Sequence, residues 1–476
     1  MFTEGLTSQP TRTCRDSVSG RRVHFIGISG CGMQGAAAVL GRLGATVSGS
    51  DLNTPEDSSA LQAAGIALLV GHQAENITRD MDFVVYSAAI PAHNPELVEA
   101  LRLAVPTVSY ARLLGRLMER WTGIAIAGTH GKSTTTGMTA WIFREAGLDP
   151  SFIVGADSLQ LGGRSGVGSG RHFIVEACEY KRSFLHFRPS IAAVLNIEAD
   201  HLDYYRDMDD LVDAFNSFCA NVSPEGLIVI PHDDEMSRRA VTEVEASVET
   251  FGTSENATWR PRFIETDQGR YEFDVLRNGR LLMRAKLGLA GAHNMFNALA
   301  AIAIASRAGI EPDAIIRALA SYEGVQRRMT LRGQDRGVII VDDYAHHPTE
   351  IRATIRAARD RYNPKRTVVV FQPHQYSRTR MLMETFADSF GDADVVVIPD
   401  IYAARDTEED RASVGAADLV ARIHSRGKDA CHIPKLDEVT DHLERNVGPG
   451  DLVLTMGAGD VWKVADGLAQ RIRRTT

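Results

Sequence analysis

The sequence predicts an α/β fold in three consecutive units, and three observations carry that prediction. A short apolar strand, VHFIGI from Val23, runs into a glycine-rich turn and an alanine-rich helix. Further on, the strand TGIAIAG leads into a second glycine loop that ends in Lys132-Ser133. Toward the end, VIIVDD, RTVVVFQ, DVVVIPD and DLVLTMG alternate with helical stretches. Strand, glycine turn and helix in that order are the units of parallel sheets whose strand ends gather ligands.

Residues 1–20 are polar, without the apolar core of a signal peptide, and read as a disordered lead-in. The first unit, 21–120, holds VHFIGI, a helix from Met33 to Leu43, the strand ATVSGSD, and further strands FVVYSAA and VPTVS. Its opening is Rossmann-like. The second unit, 121–328, carries TGIAIAG, HFIVEA and IAAVLNI, each ending at a polar or glycine position. Between Arg262 and Leu287 the pattern changes to two extended runs around Asn278-Gly279, a type I′ hairpin signal. This predicts a small antiparallel extension, followed by a helix from His293 to Ala308. The third unit, 329–476, is again Rossmann-like, with a helix from Thr349.

The composition is 44% hydrophobic and 24% charged, with a formal net charge of -9. An acidic chain repels nucleic acid, which excludes a polymer-tracking binder. No apolar run reaches membrane-spanning length. The five cysteines, Cys14, Cys31, Cys178, Cys219 and Cys431, are scattered and form no CxxC pair. That argues against a disulfide framework or a cysteine zinc site and for a reducing, cytoplasmic compartment. Nothing in the pattern specifies an oligomeric state.

The loop Gly128-Thr129-His130-Gly131-Lys132-Ser133, with Thr134 behind it, supplies what a phosphate requires. Glycines let backbone N–H groups turn inward, a lysine neutralises oxygens, and a hydroxyl reaches a divalent ion. The spacing is shorter than the common phosphate-loop pattern, since Ile126 stands where its first glycine would fall. Glu176 ends HFIVEA and Asn196 ends IAAVLNI, with His201 just beyond. Ser133, Glu176 and His201 are the candidate metal ligands. Oxygen donors suit Mg²⁺, and a histidine extends the choice to Mn²⁺. Asp200 and Asp203 read as caps of the following turn. In the first unit, Gly27-x-x-Gly30-x-Gly32 resembles a dinucleotide loop without being GxGxxG, and Ser50-Asp51 end the next strand. A nicotinamide dehydrogenase stays open on this motif alone.

Taken together, HFIGISGCGM, GTHGKSTTT, NIEADHLDYY, GAHNMFNALAA, VQRRM, VDDYAHHPTEI, FQPHQYSRTR, IYAARD and MGAGD resemble the Mur ligase family from about Val23 to Leu468. The resemblance implies three domains: a UDP-sugar-binding domain, a central ATPase domain and a C-terminal domain that closes and presents an amino acid. It implies ATP-driven joining of L-alanine to the lactyl carboxylate of UDP-N-acetylmuramate. By matching position it assigns catalysis to Lys132, Glu176 and His201. It places ATP at residues 128–134, Asn294, Asn297, Arg327, Arg328 and Asp343. The UDP-sugar falls to Gly27, Ser29, Gly30, Cys31, Gly32, Met33, Ser50, Asp51 and Ser87, and the amino acid to His346, His374 and Arg378.

The chain departs from the family pattern at Cys178 and Lys181, where relatives commonly carry aspartates, and at Gln375, where a basic residue is frequent. Lys181 is expected to reach substrate phosphate or carboxylate. Two other functions compete: a recycling ligase that attaches a whole peptide, and a non-catalytic nucleotide-sugar sensor. The Gly-x-Gly-Met loop and FQPHQYSRTR favour the alanine-adding branch over the first, and the intact Lys132, Ser133, Glu176 and His201 argue against the second.

Overall fold

The computed structural model describes residues 18–53, 61–62, 64–404 and 406–474, so nearly all of the expected N-terminal lead-in lies outside the described residues. Three sheets follow one another along the chain. The first is wholly parallel, in the order β3-β2-β1-β4-β5, from β1 (Arg22–Ile26), β2 (Thr46–Asp51), β3 (Ala67–Val70), β4 (Phe83–Tyr86) and β5 (Thr107–Ser109). Helix α1 (Cys31–Arg42) leaves the first glycine turn.

The second sheet has ten strands. Its parallel heart is β6 (Thr122–Ala127), β9 (His172–Glu176) and β10 (Ile191–Val194), flanked by β7 (Ser151–Ile153), β8 (Ser165–Gly166), β11 (Leu227–Pro231) and β12 (Ser247–Phe251). Within β6, Ile124 and Ile126 enter one core while Ala125 and Ala127 enter the opposite one. Burial on both faces is why this strand reads as continuously apolar. The core on the alanine side runs on into the first unit, joining Val23 and Phe25 to Phe173 and Val175.

The antiparallel extension is β13 (Trp259–Asp267), β14 (Arg270–Arg277) and β15 (Arg280–Ala290). Asn278 and Gly279 have φ of 50° and 76°, the two left-handed residues that a type I′ turn demands. The extension holds a third strand, β13, beyond the two runs read from sequence. Its outer half is exposed on both faces, so no apolar alternation marks it.

Helix α2 (Ala292–Arg307) follows β15 and is buried on almost every face. Its run of alanines lets it lie close to α3 (Lys132–Glu145), the helix that the phosphate loop opens. The third sheet, in the order β16-β17-β21-β18-β19-β20, is parallel except for β16 (Thr330–Asp335), which pairs antiparallel with β17 (Val338–Asp343). The others are β18 (Arg366–Phe371), β19 (Val395–Ile398), β20 (Asp429–His432) and β21 (Asp451–Met456). Helix α4 (Pro348–Tyr362) leaves β17 close to the central sheet. No described helix is long and apolar enough to cross a membrane.

One buried polar cluster fixes the first unit. Glu96 is 0% exposed, accepts from Ser50 Oγ at 2.5 Å and Asn76 Nδ2 at 2.5 Å, and lies 3.0 Å from His72 Nδ1. Burial pushes this carboxyl up, but hydrogen bonding, with the His24 imidazole foremost, outweighs it and brings it from 4.5 to about 2. A depressed carboxyl stabilises fully above its unfolded value, and that contribution fades as pH falls toward 2. Glu96→Gln should therefore destabilise the chain at neutral pH by on the order of 3 kcal/mol, read as a lower thermal midpoint. The gap from the unmodified chain should close between about pH 5 and pH 2, the span from above the unfolded carboxyl value to the folded one. A gap that does not change with pH would show that the carboxylate charge contributes nothing.

Candidate active site

The phosphate loop is shaped by its neighbour strand. Gly128 has φ 136°, and a Cβ there would stand 3.0 Å from the Leu195 backbone nitrogen. Gly131 has φ 79° and would meet Asn297 Oδ1 at 2.7 Å. Only glycine fits both positions. Asn196 then clamps the loop: its Oδ1 accepts from His130 N at 2.8 Å, and its Nδ2 donates to His130 O at 3.2 Å. Thr129 adds a second tie, since its Oγ1 accepts from Glu198 N at 2.9 Å.

Lys132 and Ser133 occupy the first turn of α3, where backbone N–H groups lack partners within the helix and favour anions. Lys132 Nζ donates to Gly128 O at 2.6 Å, Thr129 O at 3.1 Å and Glu179 Oε1 at 3.1 Å. Burial works against its charge, but the Glu179 carboxylate prevails and raises its pKa, so the ammonium stays protonated. Ser133 Oγ donates to Glu176 Oε2 at 2.8 Å, and the same oxygen accepts from Gly155 N at 2.8 Å.

His201 is held with φ 54°, its Nε2 3.7 Å from Glu179 Oε1 and 3.8 Å from Asp200 Oδ2. Burial lowers its pKa, which favours the neutral imidazole a metal requires. Its Nδ1 is buried with no hydrogen-bond partner among the described residues. Ser133, Glu176 and His201 thus offer oxygen and nitrogen donors that fit a divalent ion. Glu179 was not singled out from sequence, although a second acid just beyond the strand-end Glu176 was the available signal.

Beside the loop lies a cavity of about 550 Å³, lined by His130, Gly131, Thr134 and Arg328 from the central unit and by Asp343 and Glu350 from the C-terminal one. Asn294 and Asn297 also line it, joined by a 3.1 Å bond from Asn297 Nδ2 to Asn294 Oδ1. Phe251 and Phe296 supply apolar wall, and His293, pushed down to about 4 by burial, is a neutral neighbour. Asp343 accepts from the Met329 and Ala345 amides, and burial pushes its carboxyl up to about 6. Arg327 does not join this wall. Its guanidinium donates to Asp342 Oδ2, Gly457 O and Gly459 O, which fastens the linker to the third sheet.

Two carboxylates that the sequence reading passed over connect the units. Glu350 Oε1 is 3.1 Å from Arg328 and 3.5 Å from His130 Nδ1, and its Oε2 is 3.2 Å from His346 Nδ1. Glu198 Oε2 accepts from Thr349 Oγ1 at 2.6 Å. Burial opposes a charge on His130, yet these two carboxylates raise its imidazole to about 9.

Of the expected amino-acid contacts, His346 and His374 lie 6.3 Å apart between ring centres, and His374 stacks on Tyr402. Arg378 is buried and paired: its Nε and Nη2 both donate to Asp200 Oδ1, at 3.2 and 2.6 Å. Asp200 is therefore an ion-pair partner, and its Oδ1 also accepts from the adjacent His201 amide at 2.7 Å, a contact to the next residue and not the cap of the following turn that the sequence suggested. Gln375 supports backbone, donating from Nε2 to Ala404 O at 3.0 Å.

In the first unit the loop 27–32 sits over β2, held by Ser29 N donating to Asp51 Oδ2 at 2.9 Å. Gly32 is tightly packed, since a Cβ there would clash with the Tyr110 hydroxyl at 2.4 Å. Ser87 flanks Gly27, with its Cβ 3.3 Å from where a side chain would begin. Two expected sugar contacts are turned inward: Met33 is a core residue, and Ser50 is buried on Glu96. Met33 lies on the face of α1 that packs on the sheet, and the Ser50 hydroxyl is taken up by the buried Glu96 carboxylate. The Cys31 side chain is outside the described atoms. Lys181 does not reach into the cavity; it donates to Ala88 O at 2.8 Å, next to Ser87.

The comparisons with known proteins cover all three sheets. Residues 22–122 match the model described as Mur ligase family, catalytic domain; 126–305 match the Mur ligase middle domain; 327–459 match the Mur ligase, glutamate ligase domain. A UDP-N-acetylmuramate--L-alanine ligase of Acetivibrio thermocellus is 43% identical over 94% of this chain and 95% of its own. One of Desulforamulus reducens is 41% identical over 95% and 98%. The crystal structure of a UDP-N-acetylmuramate-alanine ligase from Thermotoga maritima is similar with TM-score 0.81 at 28% identity, covering 96% of this chain and 100% of that one. A murein peptide ligase from Psychrobacter arcticus follows at TM-score 0.70 and 25% identity, covering 96% and 98%. With its phosphate loop, strand-end acids and interdomain cavity in one continuous match, the chain belongs to the Mur ligase family.

Proposed function

We propose that the protein joins L-alanine to the lactyl carboxylate of UDP-N-acetylmuramate, consuming ATP and releasing UDP-N-acetylmuramoyl-L-alanine, ADP and phosphate. The observation that carries this is the phosphate loop, with Lys132 and the Ser133–Glu176 contact at its helix end, beside a cavity of about 550 Å³ walled by the C-terminal unit. The names of the full-length relatives supply the substrates. In this reading, residues 21–120 hold the nucleotide sugar, 121–328 the ATP and 329–476 the amino acid. The reaction is a cytoplasmic step of peptidoglycan precursor synthesis, which suits the free thiols Cys178, Cys219 and Cys431.

A carboxylate is a poor acylating agent, so it must first be phosphorylated. Two anions then have to approach each other. Lys132 keeps its charge and, with the α3 amides, offsets their repulsion. Ser133, Glu176 and His201 would hold Mg²⁺, or Mn²⁺, which when bound supplies further neutralisation between phosphate and carboxylate. Asn294, Asn297 and Asp343 are set to take the adenosine end, with Arg328 near the phosphates. Arg378 is suited to the alanine carboxylate if it exchanges Asp200 for it, and His346 and His374 stand beside it. The alanine amine attacks the acyl phosphate, and the covering C-terminal unit keeps water from hydrolysing it.

Phosphate release with UDP-N-acetylmuramate and ATP, measured across L-alanine, glycine, L-serine and a tripeptide, tests the function. L-Alanine should support turnover best; a preference for the tripeptide would move the chain to the peptide-adding branch that the Psychrobacter likeness represents. Lys132→Ala should cut that turnover by at least about 10²–10³-fold, and retained activity would remove the loop from the mechanism.

The buried Arg378–Asp200 pair gives a further expectation. Arg378→Met should raise the KM for L-alanine and destabilise the chain by about 3–5 kcal/mol, because it leaves Asp200 uncompensated. Adding Asp200→Asn should restore part of the thermal midpoint but not the KM. Strictly additive losses in the double variant would mean that the pair is not coupled.

A further inference from the structure

We propose that His130, Glu198 and His347 form a site for a divalent transition metal, fitted to zinc, that joins the phosphate loop to the C-terminal unit. The three donor atoms all lie within 4.8 Å of one another. Glu198 Oε2 is central, 3.6 Å from His130 Nε2 and 3.6 Å from His347 Nδ1. Neighbouring donors in a tetrahedral zinc site stand about 3.4 Å apart, given bonds of about 2.0–2.1 Å. Both histidine–Glu198 separations are thus within tenths of an ångström of that value.

The far side of each ring is already arranged for ligation. His347 Nε2 lies 3.2 Å from Ala199 O, so that nitrogen carries the proton and Nδ1 keeps its lone pair toward Glu198. Thr349 N approaches the same Nδ1 at 3.4 Å, a weak contact that confirms it as the acceptor and that a metal would replace. Behind His130, Glu350 Oε1 sits 3.5 Å from Nδ1, the carboxylate–histidine arrangement that orients metal-bound imidazoles. His130 Nε2, on the Glu198 side, is buried and has no hydrogen-bond partner among the described residues. Thr349 Oγ1 holds Glu198 Oε2 at 2.6 Å. Each first ligand thus has a supporting partner.

Donor chemistry separates this site from the one at Ser133 and Glu176. Two imidazoles and one carboxylate select zinc, nickel or copper over magnesium, and leave a position open toward the cavity. His130 and Glu198 belong to the central unit, while His347 precedes α4 of the C-terminal one. A metal bound by all three opposes the separation of these units that nucleotide exchange requires. On binding, it takes the place of a proton on His130 Nε2 beside Glu198, while Nδ1–H continues to face Glu350.

The test is equilibrium dialysis of the full chain against zinc, with excess Mg²⁺ to occupy the oxygen-rich site and bound metal read by atomic emission. The unmodified chain should retain zinc, and His347→Phe and Glu198→Gln should each bind it at least about tenfold more weakly. Glu176→Gln and His201→Ala should retain it. No retention by the unmodified chain, full retention by His347→Phe, or loss confined to Glu176→Gln or His201→Ala would overturn the proposal. Because a variant can misfold, Co²⁺ is also titrated into the unmodified chain. Intense visible absorption of a four- or five-coordinate centre is expected, and only the faint spectrum of octahedral Co²⁺ would again overturn it.

Discussion

The close approach of the phosphate loop to the end of β10 sets everything around it. Gly128 lies against the Leu195 backbone, and Asn196 holds His130 by both its amide and its carbonyl. The loop cannot open without breaking that clamp. From it follow the direction of α3, the placement of Lys132 and Ser133 on its first turn, and the position of Glu198 after the strand. Glu198 and His130 in turn meet His347, Thr349 and Glu350, so the C-terminal unit is docked on residues that the clamp has already fixed.

The charges show how the site waits for anionic reactants. Lys132 is paired with Glu179, Arg328 with Glu350 and Arg378 with Asp200. Arg378 is buried and Lys132 and Arg328 are partly buried, so each would be costly without a partner. In the proposed reaction the acids stand in for substrate phosphates and carboxylates. Binding exchanges one anion for another rather than neutralising a bare charge, which keeps the site folded while leaving its cations ready. The acid-rich wall also explains why a net charge of -9 is compatible with a site for anions.

What the sequence made legible was whatever local chemistry dictates. The glycines and lysine of the phosphate loop, the strand-end Glu176 and the Asn278-Gly279 hairpin each follow from backbone rules that act over a few residues. What stayed hidden depends on distance in the chain. Glu350 lies 220 positions from His130, and nothing near either residue announces their contact. Ser50 ends a strand where ligands gather, yet its hydroxyl turns inward because Glu96, on a distant helix, needs a donor. Arg327 and Arg328 are neighbours in a turn, Arg327 with left-handed backbone at φ 58°, and the turn sends one to the third sheet and the other to the cavity. Family resemblance named both alike; only packing separates them.

The segment after Glu176 shows how the first unit is coupled to this chemistry. Lys181 and Arg182 both adopt left-handed backbone, with φ of 51° and 56°. Such residues cost roughly 1 kcal/mol or more each and persist only when their surroundings over-determine them. Here three bonds do so. Tyr205 Oη donates to Glu179 O at 2.5 Å, Arg182 donates to Asp210 Oδ1 at 2.8 Å, and Lys181 donates to Ala88 O at 2.8 Å. The turn they enforce buries Glu179 against Lys132, and its outer edge touches the loop after Ser87. The loop after Ser87 is thereby tied through Lys181 to the turn carrying Glu179. The lysine that departs from the family pattern thus spans from this turn to the first unit.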